Sequence, residues 1–341
     1  GDWTMIREGT IKLVDGNDLT AQETTDIMNE VMSGRATNIE TASFLTALQA
    51  KGATIEEITA CAEVMRKHAD TFKGDGDLLE IVGTGGDKSF TFNISTTAAF
   101  VAAAGGCRVA KHGNRAATSK SGAADVLEAA GAVIDLDGKQ CRKVLDETGF
   151  CFLFARSFHK AMKYVAPVRQ ELSIPTVFNL LGPLTNPAGA TVQVLGVYKE
   201  ELLEPMARIL YNLGVKKGIV AYGMDGMDEI SASAPTKICE FSSGRFTTSL
   251  IRPEDFGLIR GEKADLIGST PQENATIMRR ILSGEEKGAK RTAIVLNAGA
   301  ALYADRKAAC LAGGIELAGK ILDEKKGLHV LNEYIAATHR V

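Results

Sequence analysis

Ile81-Val82-Gly83-Thr84-Gly85-Gly86-Asp87 is an apolar run that stops in a glycine-rich turn. β-Branched residues followed by small, permissive ones predict a strand, Leu78 to Val82, that delivers the chain into a tight loop. Backbone N–H groups of such a loop can approach an anion closely, and a helix that follows adds its positive end. A tight turn without a ligand is the competing explanation. The surroundings of the loop must decide between them.

Downstream, short apolar runs alternate with Ala-rich helical stretches, the pattern of βαβ units around a parallel sheet. Further strands are expected at Arg108 to Ala110, Ala132 to Leu136, Phe150 to Phe154, Val192 to Val197, Gly218 to Tyr222 and Thr292 to Leu296. Ser157 to Pro187 breaks the alternation, helical first and then Pro-rich. Upstream, the pairs Thr20/Glu23, Thr37/Glu40 and Thr54/Glu57 are capping-box signals that predict three short helices between residues 18 and 70. Ile27, Met28, Val31 and Met32, then Leu45 and Leu48, then Ile58, Ala62 and Met65 give each helix one apolar stripe. The expected class is therefore α/β: a small helical N-terminal domain plus a larger α/β domain with a mostly parallel central sheet. The helical domain takes residues 1–74, with 160–188 returning to it, and the α/β domain takes 75–159 and 189–341.

Composition narrows the function. At 341 residues, with 45% hydrophobic and 24% charged residues, the chain is an ordinary globular protein with room for a sizeable core. A formal charge of -3 supplies no basic field for nucleic acid or an anionic membrane, so any phosphate must be held locally. No segment approaches the roughly 20 apolar residues of a membrane span, and no leader is evident. The six cysteines are scattered without a CxxC pair, as expected of reduced thiols in the cytoplasm.

Four further groups carry chemistry. Asn93-Ile94-Ser95-Thr96-Thr97 opens an Ala-rich helix with more hydroxyls than capping needs, which points to phosphate or metal-water contact. Lys111-His112-Gly113-Asn114-Arg115 follows the second strand, where open α/β sheets place ligands, and Lys111 offers a point charge for a diphosphate. Thr118-Ser119-Lys120-Ser121-Gly122 adds donors. Asp225-Gly226-Met227-Asp228-Glu229 sets adjacent carboxylates after a strand near Tyr222, a pattern suited to Mg²⁺ with phosphate and water ligands. In Pro167-Val168-Arg169-Gln170-Glu171, Arg169 can clamp a carboxylate, or simply pair with Glu171.

The succession GTGGD, NIST, KHGNR, SGAADVLEAAG, PVRQELSIPTVFNLLGPLTNP and DGMDEIS resembles the anthranilate phosphoribosyltransferase family over most of the chain. That resemblance implies a nucleoside phosphorylase/phosphoribosyltransferase-like fold, a homodimer associated through the helical domains, and 5-phospho-α-D-ribose 1-diphosphate as donor. It implies Gly83, Thr84, Gly85, Gly86, Asp87, Thr91, Asn93, Ser95, Thr96, Lys111, Gly113 and Ser119 around the donor. Ser95, Asp228 and Glu229 would hold Mg²⁺. Anthranilate would meet Gly83, Asn114, His112 and Arg169, with Arg169 at its carboxylate, so that Lys111, His112 and Arg169 are the residues expected to carry catalysis. The resemblance is imperfect at Tyr222, where the family often has His, and at Thr118, where it often has Ser. Two alternatives remain: a pyrimidine nucleoside phosphorylase-like pentosyltransferase, and a nucleic-acid-binding relative without transferase activity.

Overall fold

The computed structural model describes residues 4–117 and 119–341. All three capping boxes form. The Thr20, Thr37 and Thr54 hydroxyls accept from the amides of Glu23, Glu40 and Glu57, whose carboxylates return the bond, and each box contributes about 1 kcal/mol to its helix. They open α2 (Ala21–Met32), α3 (Asn38–Lys51) and α4 (Ile55–His68). A further helix, α1 (Met5–Val14), precedes them. The apolar stripes meet in one core with Ile6, Leu13, Leu19, Ile27, Phe44, Leu48, Cys61 and Met65 all buried.

The chain then builds β1 (Leu79–Gly83), α5 (Ile94–Ala104), β2 (Val109–Gly113), α6 (Ala123–Ala129), α7 (Gly138–Thr148), β3 (Phe150–Phe154) and α8 (Ala155–Phe158). Two short helices, α9 (Ala166–Leu172) and α10 (Phe178–Leu181), lead to β4 (Val192–Gly196), α11 (Leu203–Asn212) and β5 (Lys217–Gly223). After β6 (Thr236–Ser242) and β7 (Arg245–Ile251) come α12 (Pro271–Leu282), α13 (Ala289–Ala304), α14 (Leu311–Asp323) and α15 (Lys326–Thr338).

The seven strands form one sheet in the order β3-β2-β1-β4-β5-β6-β7. The first five are parallel and β5-β6-β7 antiparallel. Side chains alternate between two cores, as period 2 demands. Val194, Ile219 and Ala221 join the core built with α5 and α12 to α15, while Leu195 and Val220 join the core continuous with the helical bundle. Val165, Val168, Phe178 and Leu184, from the segment that broke the alternation, lie in the bundle's core.

Two expected strands are not strands. Thr292 to Leu296 lies inside α13, which is buried on nearly every side; a short apolar run has no periodicity that separates a buried strand from a buried helix. Ala132 to Leu136 is a connection outside the sheet, where Val133 N–H donates to the Thr338 hydroxyl at 3.1 Å instead of to a neighbouring strand. The β6–β7 hairpin was not anticipated. Its turn, Ser243-Gly244, has both φ angles positive, at 51° and 76°, the geometry that matches the twist of a two-residue hairpin.

Candidate active site

β1 sends the chain to β2 and β3 on one side, while β4 and β5 lie on the other, so the strand order reverses between β1 and β4. Open sheets form their ligand crevice at such a reversal, beyond the carboxyl ends of the strands. Gly83 and Gly196 end these two strands and face each other in register. A methyl group on either would run into Asp228, at its carboxylate from Gly83 and at its main-chain carbonyl from Gly196. The paired glycines therefore make room for the acidic turn to settle over the crevice.

The turn and the glycine loop are tied reciprocally. Gly85 N–H donates to Asp228 Oδ2 at 2.8 Å, and Asp228 N–H donates to Asp87 Oδ2 at 3.1 Å. Thr84 N–H is also engaged, with the Gly196 carbonyl at 2.8 Å. Among the described residues the next three amides, Gly86, Asp87 and Lys88, have no protein partner. Gly85, Gly86 and Lys88 have φ of 73°, 76° and 55°, so this stretch is a concave run of donors of the kind that binds anions. The sequence suggests loop amides that can approach an anion; those of Thr84 and Gly85 hold the protein together instead.

Lys111 lies beneath the loop and is 1% exposed. Its Nζ donates to the Ile81 carbonyl at 2.6 Å and to Ser95 Oγ at 3.2 Å, which leaves one of three hydrogens available. Burial pushes the ammonium's pKa down, opposed by Glu80, Glu229 and Asp228. Burial, then mutual repulsion with Glu229 and Asp87, raises Asp228 well above the usual carboxylate range; burial and Asp87 raise Glu229. Crowded acids of this kind fit a hard divalent cation that takes few protein oxygens and completes its shell with phosphate and water. No group of three or more His, Cys, Asp or Glu among the described residues is arranged to hold a metal by itself.

Glu80 escaped the sequence reading. It is fully buried on β1, where one oxygen, Oε2, accepts from His112 N–H at 2.7 Å and from Asn186 Nδ2 at 2.8 Å. Burial raises its pKa to about 7, with Lys111 the first opposing influence. A charged residue inside an otherwise apolar parallel strand was the available signal.

His112 is also buried. Its Nδ1 lies 3.1 Å from the Gly182 carbonyl, which can only accept, so Nδ1 carries the hydrogen and Nε2 keeps a lone pair with no protein partner. Burial, followed by the neighbouring His159, Lys111 and Arg66, drives its pKa to about 3, so the ring is neutral. Arg169 sits on α9 with its guanidinium 5.8 Å from the centre of the Phe178 ring and makes no ion pair among the described residues. The pairing with Glu171 is therefore absent, and burial lowers the Arg169 pKa.

The remaining candidates are less central. Asn93 stands at the N-cap of α5 without capping it, and its amide joins Ser121 and Asn274 at 3.0 to 3.1 Å. Thr96 is buried, Thr91 bridges to Ile267, and Gly113 ends β2. Asn114 and Ser119 are exposed. Tyr222 is half-buried on β5, and Thr118 lies outside the described residues.

Residues 8–69 match the glycosyl transferase family helical bundle domain, and residues 75–327 match the glycosyl transferase family a/b domain. The class is thus a two-part glycosyl transferase. An anthranilate phosphoribosyltransferase of Methanobrevibacter smithii is 52% identical over 98% of this chain and 100% of its own, and one of Lachnoclostridium phytofermentans is 51% identical over 98% and 100%. The anthranilate phosphoribosyltransferase of Thermus thermophilus superposes with a TM-score of 0.92 at 44% identity, over 97% of this chain and 99% of that one. The Saccharomyces cerevisiae enzyme, solved in complex with PRPP and Mg, gives 0.90 at 29% identity over 98% of each chain. The chain belongs to the anthranilate phosphoribosyltransferase family.

Proposed function

We propose that this chain transfers the 5-phosphoribosyl group of 5-phospho-α-D-ribose 1-diphosphate to the amine of anthranilate, giving N-(5-phosphoribosyl)anthranilate and diphosphate, a step of tryptophan biosynthesis. The observation that carries this reading is the convergence, at the strand-order reversal, of three free loop amides, one buried ammonium and an acid pair over Gly83 and Gly196. As the C1–oxygen bond breaks, its electrons go to diphosphate. The amides of Gly86, Asp87 and Lys88 and the remaining hydrogen of Lys111 meet the charge that develops there, in fixed positions, which is the dominant kind of catalytic stabilisation. Asp228 and Glu229, with Ser95, would hold Mg²⁺, whose chemistry when bound is to neutralise diphosphate oxygens.

The anthranilate amine is neutral and attacks through its lone pair without prior deprotonation, and as the C1–N bond forms the surplus N–H proton is released to water. A neutral His112 that can only accept through Nε2 suits an N–H of that amine, and an ion-unpaired Arg169 suits its carboxylate. Loss of anthranilate fluorescence that requires both donor and Mg²⁺ and stops in EDTA is the expected result. Persistence in EDTA, or no consumption, would sink the assignment. In the same assay Arg169→Ala raises the anthranilate KM about tenfold or more while the donor KM stays within about twofold; equal loss toward both would count against the clamp.

We also propose a homodimer through the helical part. A groove of about 870 Å³ between α1 and α3 is lined by Leu13, Val14, Ala42, Ala47 and Ala50, and the same two helices expose Ile11, Val14 and Ile39. Sedimentation should give twice the chain mass, falling to one chain mass in Val14→Asp. The apolar side chains that 165–184 places in the bundle's core support taking 1–74 with 160–188 as one unit and 75–159 with 189–341 as the donor-binding unit. Six free thiols favour a cytoplasmic setting.

A further inference from the structure

Five consecutive residues, Gly182 to Asn186, are each fastened by a polar side chain. His112 Nδ1 donates to the Gly182 carbonyl at 3.1 Å, Gln193 Nε2 to that of Pro183 at 2.7 Å, and His159 Nε2 to that of Thr185 at 2.9 Å. Asn186 Nδ2 donates to Glu80 Oε2 and the Ala110 carbonyl, both at 2.8 Å. The middle fastening differs. Arg66 reaches across from the last turn of α4, and its Nε donates to the Leu184 carbonyl at 2.8 Å.

Arg66 is the one member of this set that comes from the N-terminal bundle. An Nη1 hydrogen donates to the Leu213 carbonyl at 3.2 Å, just past α11, and among the described residues no carboxylate pairs with the guanidinium. Burial lowers its pKa, with Glu63 opposing. A half-buried cation bonded only to carbonyls is a poor device for stability alone, because an apolar residue of similar volume would avoid the desolvation. Its target is better explained by position. Gly182 to Leu184 form a single 3₁₀ turn with Pro183 at its start, so a hold on the Leu184 carbonyl is a hold on the Gly182 carbonyl that orients His112.

We propose that Arg66 is a positioning residue for the acceptor half of the reaction: by anchoring Leu184 it fixes the Gly182–Asn186 strap to the helical bundle and sets the His112 ring before the aromatic amine arrives. The proposal rests on the acceptor role given to His112 above. It places an element of acceptor recognition on the bundle, while the donor machinery stands on the sheet.

The test measures kcat, both KM values and the melting temperature for full-length wild type, Arg66→Gln, Arg66→Lys, His112→Ala and the Arg66→Gln/His112→Ala pair. Arg66→Gln, which keeps one donor but loses the charge and the fork, is expected to raise the anthranilate KM about tenfold with the donor KM within about twofold. Arg66→Lys, with its charge retained and one carbonyl reached, should recover part of that rise, and it carries the test if Arg66→Gln does not fold. The double variant should be no worse toward anthranilate than His112→Ala alone, because both changes act through one ring. A purely structural Arg66 would lower the melting temperature and leave both KM values in place, which overturns the proposal, as would equal rises in the two KM values. If His112→Ala leaves the anthranilate KM unchanged, the acceptor role of His112 fails and the proposal with it. If His112→Ala raises it and neither Arg66 variant does, only the Arg66 proposal fails.

Discussion

Replacing Lys111 with methionine is expected to lower kcat about a hundredfold or more, with a smaller change in the anthranilate KM. Methionine keeps the length and bulk of the side chain, so packing under the loop survives. The lost elements are the positive charge and three hydrogens, two of which hold the Ile81 carbonyl and Ser95 Oγ. The Ile81 carbonyl then loses a buried donor, at about 1 to 3 kcal/mol. Glu80, Asp228 and Glu229 lose the cation that opposes their repulsion, so the melting temperature should fall as well. The kinetic loss is the diagnostic part, because it reflects charge left uncovered on the departing diphosphate. Steady-state kinetics with both substrates checks it, and a kcat within about threefold of wild type would remove Lys111 from the leaving-group role.

Gly196→Ala is the second severe case. Gly196 does not have a positive φ, so backbone freedom is not the reason for a glycine there; space is. An added methyl would meet the Asp228 carbonyl, a main-chain group that cannot swing away as a side-chain tip can. Either β4 slides or the acidic turn lifts off the crevice, at about 1 to 3 kcal/mol or more. Lifting the turn breaks the reciprocal bonds among Gly85, Asp228 and Asp87 and displaces the acid pair from the crevice. The expected outcome is a fall of about a hundredfold or more in kcat/KM for the donor and a higher Mg²⁺ requirement. Gly189→Ala is the control. Its φ of 63° strains an alanine by about 1 kcal/mol, yet nothing lies within 4 Å of the added methyl, so stability should drop slightly and turnover should not. Equal kinetic behaviour of the two variants would show that the Gly83–Gly196 pair does not seat the acidic turn.

Much of this was legible in the sequence because it is locally encoded. The three Thr-x-x-Glu boxes announce helix starts through contacts three residues apart. Ile81 to Asp87 announces a strand and an anion loop through β-branching followed by glycine. Misreadings fell where local signals are degenerate. Thr292 to Leu296 is equally apolar as strand or helix, and only its burial within α13 decides. The β6–β7 hairpin is signalled locally only by the Ser243-Gly244 dipeptide, a weak turn cue between its two strands. The partners of Glu80 and Arg66 are not legible locally because they lie far away in sequence, 106 residues for Glu80 and Asn186 and 118 for Arg66 and Leu184, although a charged residue within an apolar strand already marks Glu80 as unusual. A loop amide's orientation has the same character: Gly85 N–H turns toward Asp228, 143 residues on.

The two margins of the sheet are finished in opposite ways. β3 forms one margin with all five of its side chains, Phe150 to Phe154, buried. At the other, β7 presents Arg245, Thr247, Thr248 and Ser249 to solvent along a strand that is mostly exposed. An open strand border invites another chain to extend the ladder, and polar, charged side chains discourage that docking. Arg245 to Ile251 therefore closes the sheet with a border whose polar face discourages the addition of a further strand from another chain.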